Sequence, residues 1–217
     1  MNSYKYVFFD LDGTLSDSAP GIINAVVYAL GKMGVETGER EALKAFVGPP
    51  LIESFTGYCG FSQERANEAI VLFREYYRER GINENTMYDG IPELLRALSG
   101  DGLRLAVATS KPEGFARRII TRYGIADYFE YIAGSTMDET RVKKDEVIGY
   151  ALETLGISDP KSVVMIGDRR HDVSGAARFG IDCVGVLYGY GSREELLSAG
   201  AKYLAETPAD VARLILN

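Results

Sequence analysis

The sequence predicts an α/β fold: a Rossmann-like parallel-sheet core with helices on both faces, plus a small all-helical domain inserted after the first strand. Three observations carry this expectation. Val7, Phe8 and Phe9 form an unbroken apolar run, as in a strand covered on both sides. Residues 17–87 then show helical patterning with little strand character. From residue 88 onward, apolar runs alternate with helical segments, the pattern of a parallel sheet joined by helical crossovers. The expected division is therefore 1–16 with 88–217 for the core and 17–87 for the helical insert, with hinges at 16–19 and 88–90.

Within the insert, Ser18 is a plausible N-cap with Pro20 in the first turn, ahead of "GIINAVVYALGKMG". A second helix is expected over 39–46, stopped by "VGPP". Pro50 opens a third, and Ser62 caps a long fourth that ends at Gly81. In the core, 91–98 reads as helix, "RLAVATS" as a buried strand, and Pro112 as the start of the next helix. A short strand at "YIAG" precedes a helix over 143–155. "SVVMIGD" is a strand ending on an acid, followed by a helix over 172–179. "DCVGVLYG" is the last clear strand, and helices near 193–199 and 208–215 finish the chain.

Composition narrows the function classes. At 217 residues with 46% apolar content, the chain can bury a full core and holds no run long enough to span a membrane. The opening "MNSYKYVFF" lacks a basic-then-apolar leader, and Cys59 and Cys183 alone suggest neither a disulfide framework nor a cysteine metal site. A cytoplasmic location is expected. The net charge of −7 argues against binding a nucleic-acid polymer and means that an anionic ligand needs local positive charge. His171 is the only histidine, so a two-histidine mechanism is excluded, and no serine sits in a nucleophile elbow.

The apolar run at 7–9 leads straight into Asp10 and Asp12, with Gly13 ready to turn the chain. Two acids so placed repel each other unless a cation, a proton or a hydrogen-bond donor is shared. Polar groups recur at other strand ends: Thr109 and Ser110, then Asp168, with Asp172 four residues later near a helix start. Any one of these alone is ordinary turn or cap chemistry. Four in order, at successive strand ends, point to one crevice beyond the sheet. Clustered carboxylate oxygens suit Mg²⁺, which also bridges to phosphate.

These motifs resemble those of the haloacid dehalogenase superfamily of phosphohydrolases, over essentially the whole chain. "DLDGT" at 10–14, "ATS" at 108–110, Lys144 in "KKDEVI" and "GDRRHD" at 167–172 stand for its four motifs. The helical insert resembles the small cap of the phosphoglycolate phosphatase-like branch, which includes bacterial 5′-nucleotidases of this type. The resemblance implies that Asp10 is a nucleophile forming an aspartyl-phosphate. It implies that Asp12 gives a proton to the leaving oxygen and later activates water. Mg²⁺ would be held by Asp10, the backbone carbonyl of Asp12, Asp168 and Asp172. Gly13 (through the turn amides), Thr109 and Ser110 would bind the phosphoryl oxygens. Lys144 would neutralise the nucleophile and the transferring group, the spacing to Val147 and Ile148 favouring it over Lys143.

The implied activity is that of a phosphatase acting on a small phosphorylated metabolite, as a monomer or homodimer. A sugar-phosphate mutase is the alternative, and a non-catalytic phospholigand-binding protein a further one. A mutase must hold a second phosphate in the cap, usually with Arg or Lys in this loop; none stands between Val47 and Phe55, though Lys44, Arg74 or Arg78 could reach in from a helix. Tyr188 and Tyr190 in "GVLYGYGS" could stack on a base or pack beneath their loop. Lys111, Arg169 and Arg170, beside helix starts, could meet a second anionic group or simply face water.

Overall fold

The protein is described by a computed structural model covering residues 4–138 and 140–217. Two compact units emerge: residues up to Ser16 with Met87–Asn217, and Asp17–Thr86. The first is built on six parallel strands: β1 (Tyr6–Phe9), β4 (Arg104–Pro112), β5 (Phe129–Ser135), β6 (Val163–Gly167), β7 (Asp182–Val186) and β8 (Tyr203–Ala205). Their order across the sheet is β5-β4-β1-β6-β7-β8. The two-residue strands β2 (Ser16–Asp17) and β3 (Thr86–Met87) pair separately, where the chain passes from one unit to the other.

Alternation along the strands decides what lies on each face. Phe8, Ala106, Met165 and Cys183 share one apolar cluster with residues of α6 (Lys144–Thr154), α7 (Arg170–Ala177) and α8 (Arg193–Ala199). Val7, Phe9, Val107 and Ile166 are also fully buried, on the opposite face. There Phe9 meets Phe129 edge-on, ring centroids 6.2 Å apart. The helices α4 (Ile91–Gly100) and α9 (Pro208–Leu216) lie against each other. Helix α5 (Glu113–Arg122) packs on β4 and β5. Both faces being covered, the central strands carry apolar residues in runs rather than alternation.

The helical unit holds α1 (Ala19–Lys32), α2 (Leu51–Cys59) and α3 (Gln63–Glu79). Ser62 caps α3 by accepting from the Arg65 amide at 3.3 Å. Ser18 occupies the N-cap position of α1 but makes no side-chain cap bond; Asp17 accepts the Ala19 amide instead, at 3.2 Å. The helix expected over 39–46 is only a 3₁₀ turn, Ala42–Phe46. Just Leu43 and Phe46 are buried there, three residues apart, which a 3₁₀ turn satisfies without a full helix. Strand β8 was not expected, and β4 and β5 run longer than their apolar stretches indicated. Among the described residues, no helix is long and apolar enough to cross a membrane.

Candidate active site

The register of the sheet sets the site. Phe9 pairs with Val107 on one side and Ile166 on the other. Asp10 is therefore level with Ala108 and Gly167, and Thr109 and Asp168 follow one residue later. Three adjacent strands deliver polar groups at one height, where their apolar runs stop. The chain then turns at Gly13, whose φ of +84° favours glycine. A Cβ at Gly13 would lie 2.2 Å from Asp168 Oδ2, so a side chain there would push the two strand ends apart.

Burial makes this cluster unusual. Asp10, Asp12, Lys111, Lys144, Asp168 and Asp172 are all buried, Asp168 and Asp172 completely. Lys144, the first residue of α6, reaches Asp10 Oδ1 at 2.8 Å and Asp172 Oδ1 at 2.7 Å, and donates to the Ala108 carbonyl at 3.1 Å. Lys111 pairs with Asp12 Oδ2 at 2.7 Å. Four carboxylates thus face two ammonium groups, leaving an excess of two negative charges in a low-dielectric site if all are ionised.

The strain shows in the titration of these groups. Burial, then the charges of Asp172 and Asp10, pushes the Asp168 carboxyl well above the usual carboxylate range. Burial likewise raises Asp172 to about 6, against the pull of Lys144. Burial works to lower the Lys144 pKa, but Asp10 and Asp172 outweigh it and hold the ammonium charged. Oxygens of Asp10, Asp168 and Asp172 lie within 4.8 Å of one another. Three buried oxygen donors at that spacing, with negative charge in excess, fit a small divalent cation.

Of the two adjacent lysines, Lys144 turns inward while Lys143 is exposed at the N-cap of α6. Thr109 is buried, with its Oγ1 accepting the Lys111 amide at 3.2 Å, and Ser110 is half-exposed at the rim. The Gly13 amide, expected among the phosphate donors, instead donates to the Ser16 carbonyl at 2.8 Å and closes its own turn. Asp172 also accepts the Arg169 amide at 3.0 Å, which fixes its carboxylate at the start of α7.

Lys111 is the residue that sequence reasoning undervalued. A lysine beside a helix start is ordinarily solvated, but β4 continues to Pro112 and carries Lys111 into the interior. Nothing local in the sequence marked it, because its partner Asp12 lies far earlier in the chain. Arg169 pairs with Glu195 at 2.9 Å, and Arg170 is exposed. Burial and the two arginines push the His171 imidazole down to about 4, so it is neutral at pH 7. Tyr188 packs rather than offering its face: its hydroxyl donates to the Thr14 carbonyl at 3.1 Å, and its ring meets Tyr88 edge-on at 5.1 Å.

Comparison with known proteins agrees with this geometry. The profile of the haloacid dehalogenase-like hydrolase family matches residues 7–186. A 5′-nucleotidase of Pseudomonas aeruginosa is 46% identical over 193 residues, covering 89% of this chain and 87% of that protein. The tyrosine-protein kinase PtkA of Mycobacterium tuberculosis is 47% identical over 189 residues, or 87% of this chain, which spans only 64% of PtkA. A phosphoglycolate phosphatase of Colwellia psychrerythraea is 32% identical, with 94% and 93% of the two chains covered. The crystal structure of a predicted phosphatase from Clostridium acetobutylicum superposes with a TM-score of 0.95, at 45% identity and 98% coverage of each chain.

Proposed function

The chain belongs to the haloacid dehalogenase-like hydrolase family, and on that footing we propose that it is a Mg²⁺-dependent phosphatase. Its substrate is a small phosphate monoester, with 2-phosphoglycolate and the 5′-nucleotides the leading classes. The observation that carries this reading is the buried group of Asp10 and Asp168 at the strand ends and Asp172 in the first turn of α7, crossed by Lys144. The helical unit is read as the cap domain of such an enzyme.

Asp10, Asp168 and Asp172, with the backbone carbonyl of Asp12, would hold Mg²⁺. Bound there, the cation would neutralise the excess charge and polarise the phosphoryl group. Asp10 attacks phosphorus in line with the leaving oxygen, and the P–O bond to that oxygen breaks. Asp12 gives its proton to the departing alcohol, then takes one from the water that attacks the aspartyl-phosphate, releasing phosphate and restoring Asp10. Lys144 fixes the Asp10 carboxylate from one side and offsets charge on the transferring group. Lys111 holds Asp12 in place through its 2.7 Å ion pair. The Ser110 hydroxyl and the Asp12 amide donate to the phosphoryl oxygens, while Thr109 braces the irregular end of β4 that presents Ser110.

A sugar-phosphate mutase would need a cation in the helical unit's loop for a second phosphate, and residues 47–55 supply none. The names of the relatives do not select the substrate, since one fold serves all of them. The test is phosphate release with Mg²⁺ from 2-phosphoglycolate, 5′-mononucleotides and sugar phosphates. Turnover should vanish with chelator and fall by about 10⁴-fold or more in Asp10→Asn. Turnover that survives in Asp10→Asn would overturn the reading.

A further inference from the structure

We propose that the loop 188–191, together with Thr14, is a positioning device that aims the carboxylate of Asp168 at the cation site. Asp168 is the odd member of the acidic group. Lys144 pairs with Asp10 and Asp172, and Lys111 with Asp12, but among the described residues no ion pair includes Asp168. A fully buried carboxylate without a cationic partner keeps its direction only through hydrogen bonds.

Those bonds come from two turns. The Tyr190 amide donates to Asp168 Oδ2 at 2.8 Å, and the Thr14 hydroxyl donates to Oδ1 at 3.4 Å. One oxygen is thereby tied to the loop after β7 and the other to the turn after β1. The sheet order β1-β6-β7 puts Asp168, at the end of β6, between them. The Tyr188 hydroxyl then ties the loop to that same turn, through the Thr14 carbonyl at 3.1 Å.

The glycines on either side of Tyr190 explain how the donor gets so close. A Cβ at Gly189 would lie 2.3 Å from Asp168 Cβ and 2.4 Å from the Gly13 carbonyl oxygen. A Cβ at Gly191 would lie 1.9 Å from the Asp168 carbonyl oxygen. Neither residue has a positive φ, so conformational freedom is not the reason for glycine there. Close backbone approach is. The sequence "YGYG" thus delivers one amide to one carboxylate oxygen, with a tyrosine anchoring it from behind.

This assignment rests on the Mg²⁺-dependent reading, and the experiment separates the two. Mg²⁺ affinity is measured by calorimetric titration of the full chain without substrate, alongside its melting temperature. The proteins are wild type, Gly189→Ala, Thr14→Val and Thr14→Ser. Loss of an outer-shell partner typically costs about 10- to 100-fold in metal affinity, and that is the range expected for Gly189→Ala. Thr14→Val, at the longer bond, should lie near the lower end, and Thr14→Ser should return to within about twofold of wild type. Should Gly189→Ala fail to fold, the Thr14 pair decides alone. Variants that melt earlier but bind Mg²⁺ as tightly as wild type overturn the positioning role and leave the metal reading intact. A folded wild type that binds no Mg²⁺ overturns the metal reading itself.

Discussion

The two units of this protein treat buried polarity in opposite ways. In the sheet unit, six acidic or basic side chains are buried: Asp10, Asp12, Lys111, Lys144, Asp168 and Asp172. Among the described residues of the helical unit no acidic or basic residue is buried, and the buried residues with a polar side-chain group are Ser18, Ser54 and Tyr77, each through its hydroxyl. That unit is held by aromatic packing instead. Phe46 meets Phe55 edge-on at 5.0 Å, Phe55 stacks on Phe61 at 6.3 Å, and Phe73 stacks on Tyr77 at 5.4 Å. Its acid Glu84 accepts hydrogen bonds nearer the surface, from the Asn24 amide and the Tyr76 hydroxyl. Burying charge costs stability unless pairing or a metal offsets it, so its confinement to one place marks that place as chemistry.

The contrast can be broken first in the helical unit. Phe55→Ala empties a fully buried ring site, and a loss of about 3–5 kcal/mol is expected from lost burial and the cavity left behind. Denaturant unfolding followed by circular dichroism reads this. A loss below about 1 kcal/mol would mean that aromatic packing does not hold the unit together.

In the sheet unit the matching perturbation is pH. Asp172 sits at about 6 without a cation and must be ionised to hold one, so binding Mg²⁺ releases its proton. Mg²⁺ affinity should fall as pH drops through 6, where Asp172 takes up its proton. The limiting slope is about tenfold per pH unit, or 1.4 kcal/mol, for one proton. Calorimetric titration between about pH 5 and pH 8 checks the sign. An affinity that rose on acidification would contradict the assignment of Asp172 to the site.

A smaller effect sharpens the comparison. Asp168 is a buried carboxylate that burial and two neighbouring acids push toward its protonated form. At pH 7 without Mg²⁺, Asp168→Asn should unfold at least as late as wild type, with a gain of about 1 kcal/mol. Added Mg²⁺ should then stabilise wild type and leave the variant nearly unmoved. A variant that is less stable without Mg²⁺ would show that the carboxylate serves the fold rather than the cation.

Much of this was legible from residue order. The apolar runs ending at Asp10 and Asp168 locate two central strands, and parallel register then places their acids side by side. Helix geometry allows only one of Lys143 and Lys144 to face the crevice, and the family resemblance, through its spacing to Val147 and Ile148, favoured Lys144, the one that is buried. What stayed hidden depended on partners distant in sequence. Lys111 turns inward because β4 outruns its apolar stretch, and its partner Asp12 lies about a hundred residues earlier. Strand β8 is short and only half-buried, flanked by Lys202 and Glu206, so no apolar run announced it. The Gly13 amide looked free to meet phosphate because its bond to the Ser16 carbonyl belongs to turn geometry. The tyrosines of 188–191 could not be placed until the loop was seen against Thr14 and Asp168.

The central claim is that the buried charge of the sheet unit serves phosphoryl transfer through Asp10. The most direct measurement is to quench the Mg²⁺-loaded protein during turnover of its best substrate and reduce it with borohydride, which converts an acyl phosphate on aspartate to homoserine. Mass spectrometry of the peptide containing Asp10 should show that conversion at Asp10, dependent on both substrate and Mg²⁺. Steady phosphate release with Asp10 unmodified, or with the conversion at another acid, would contradict the account.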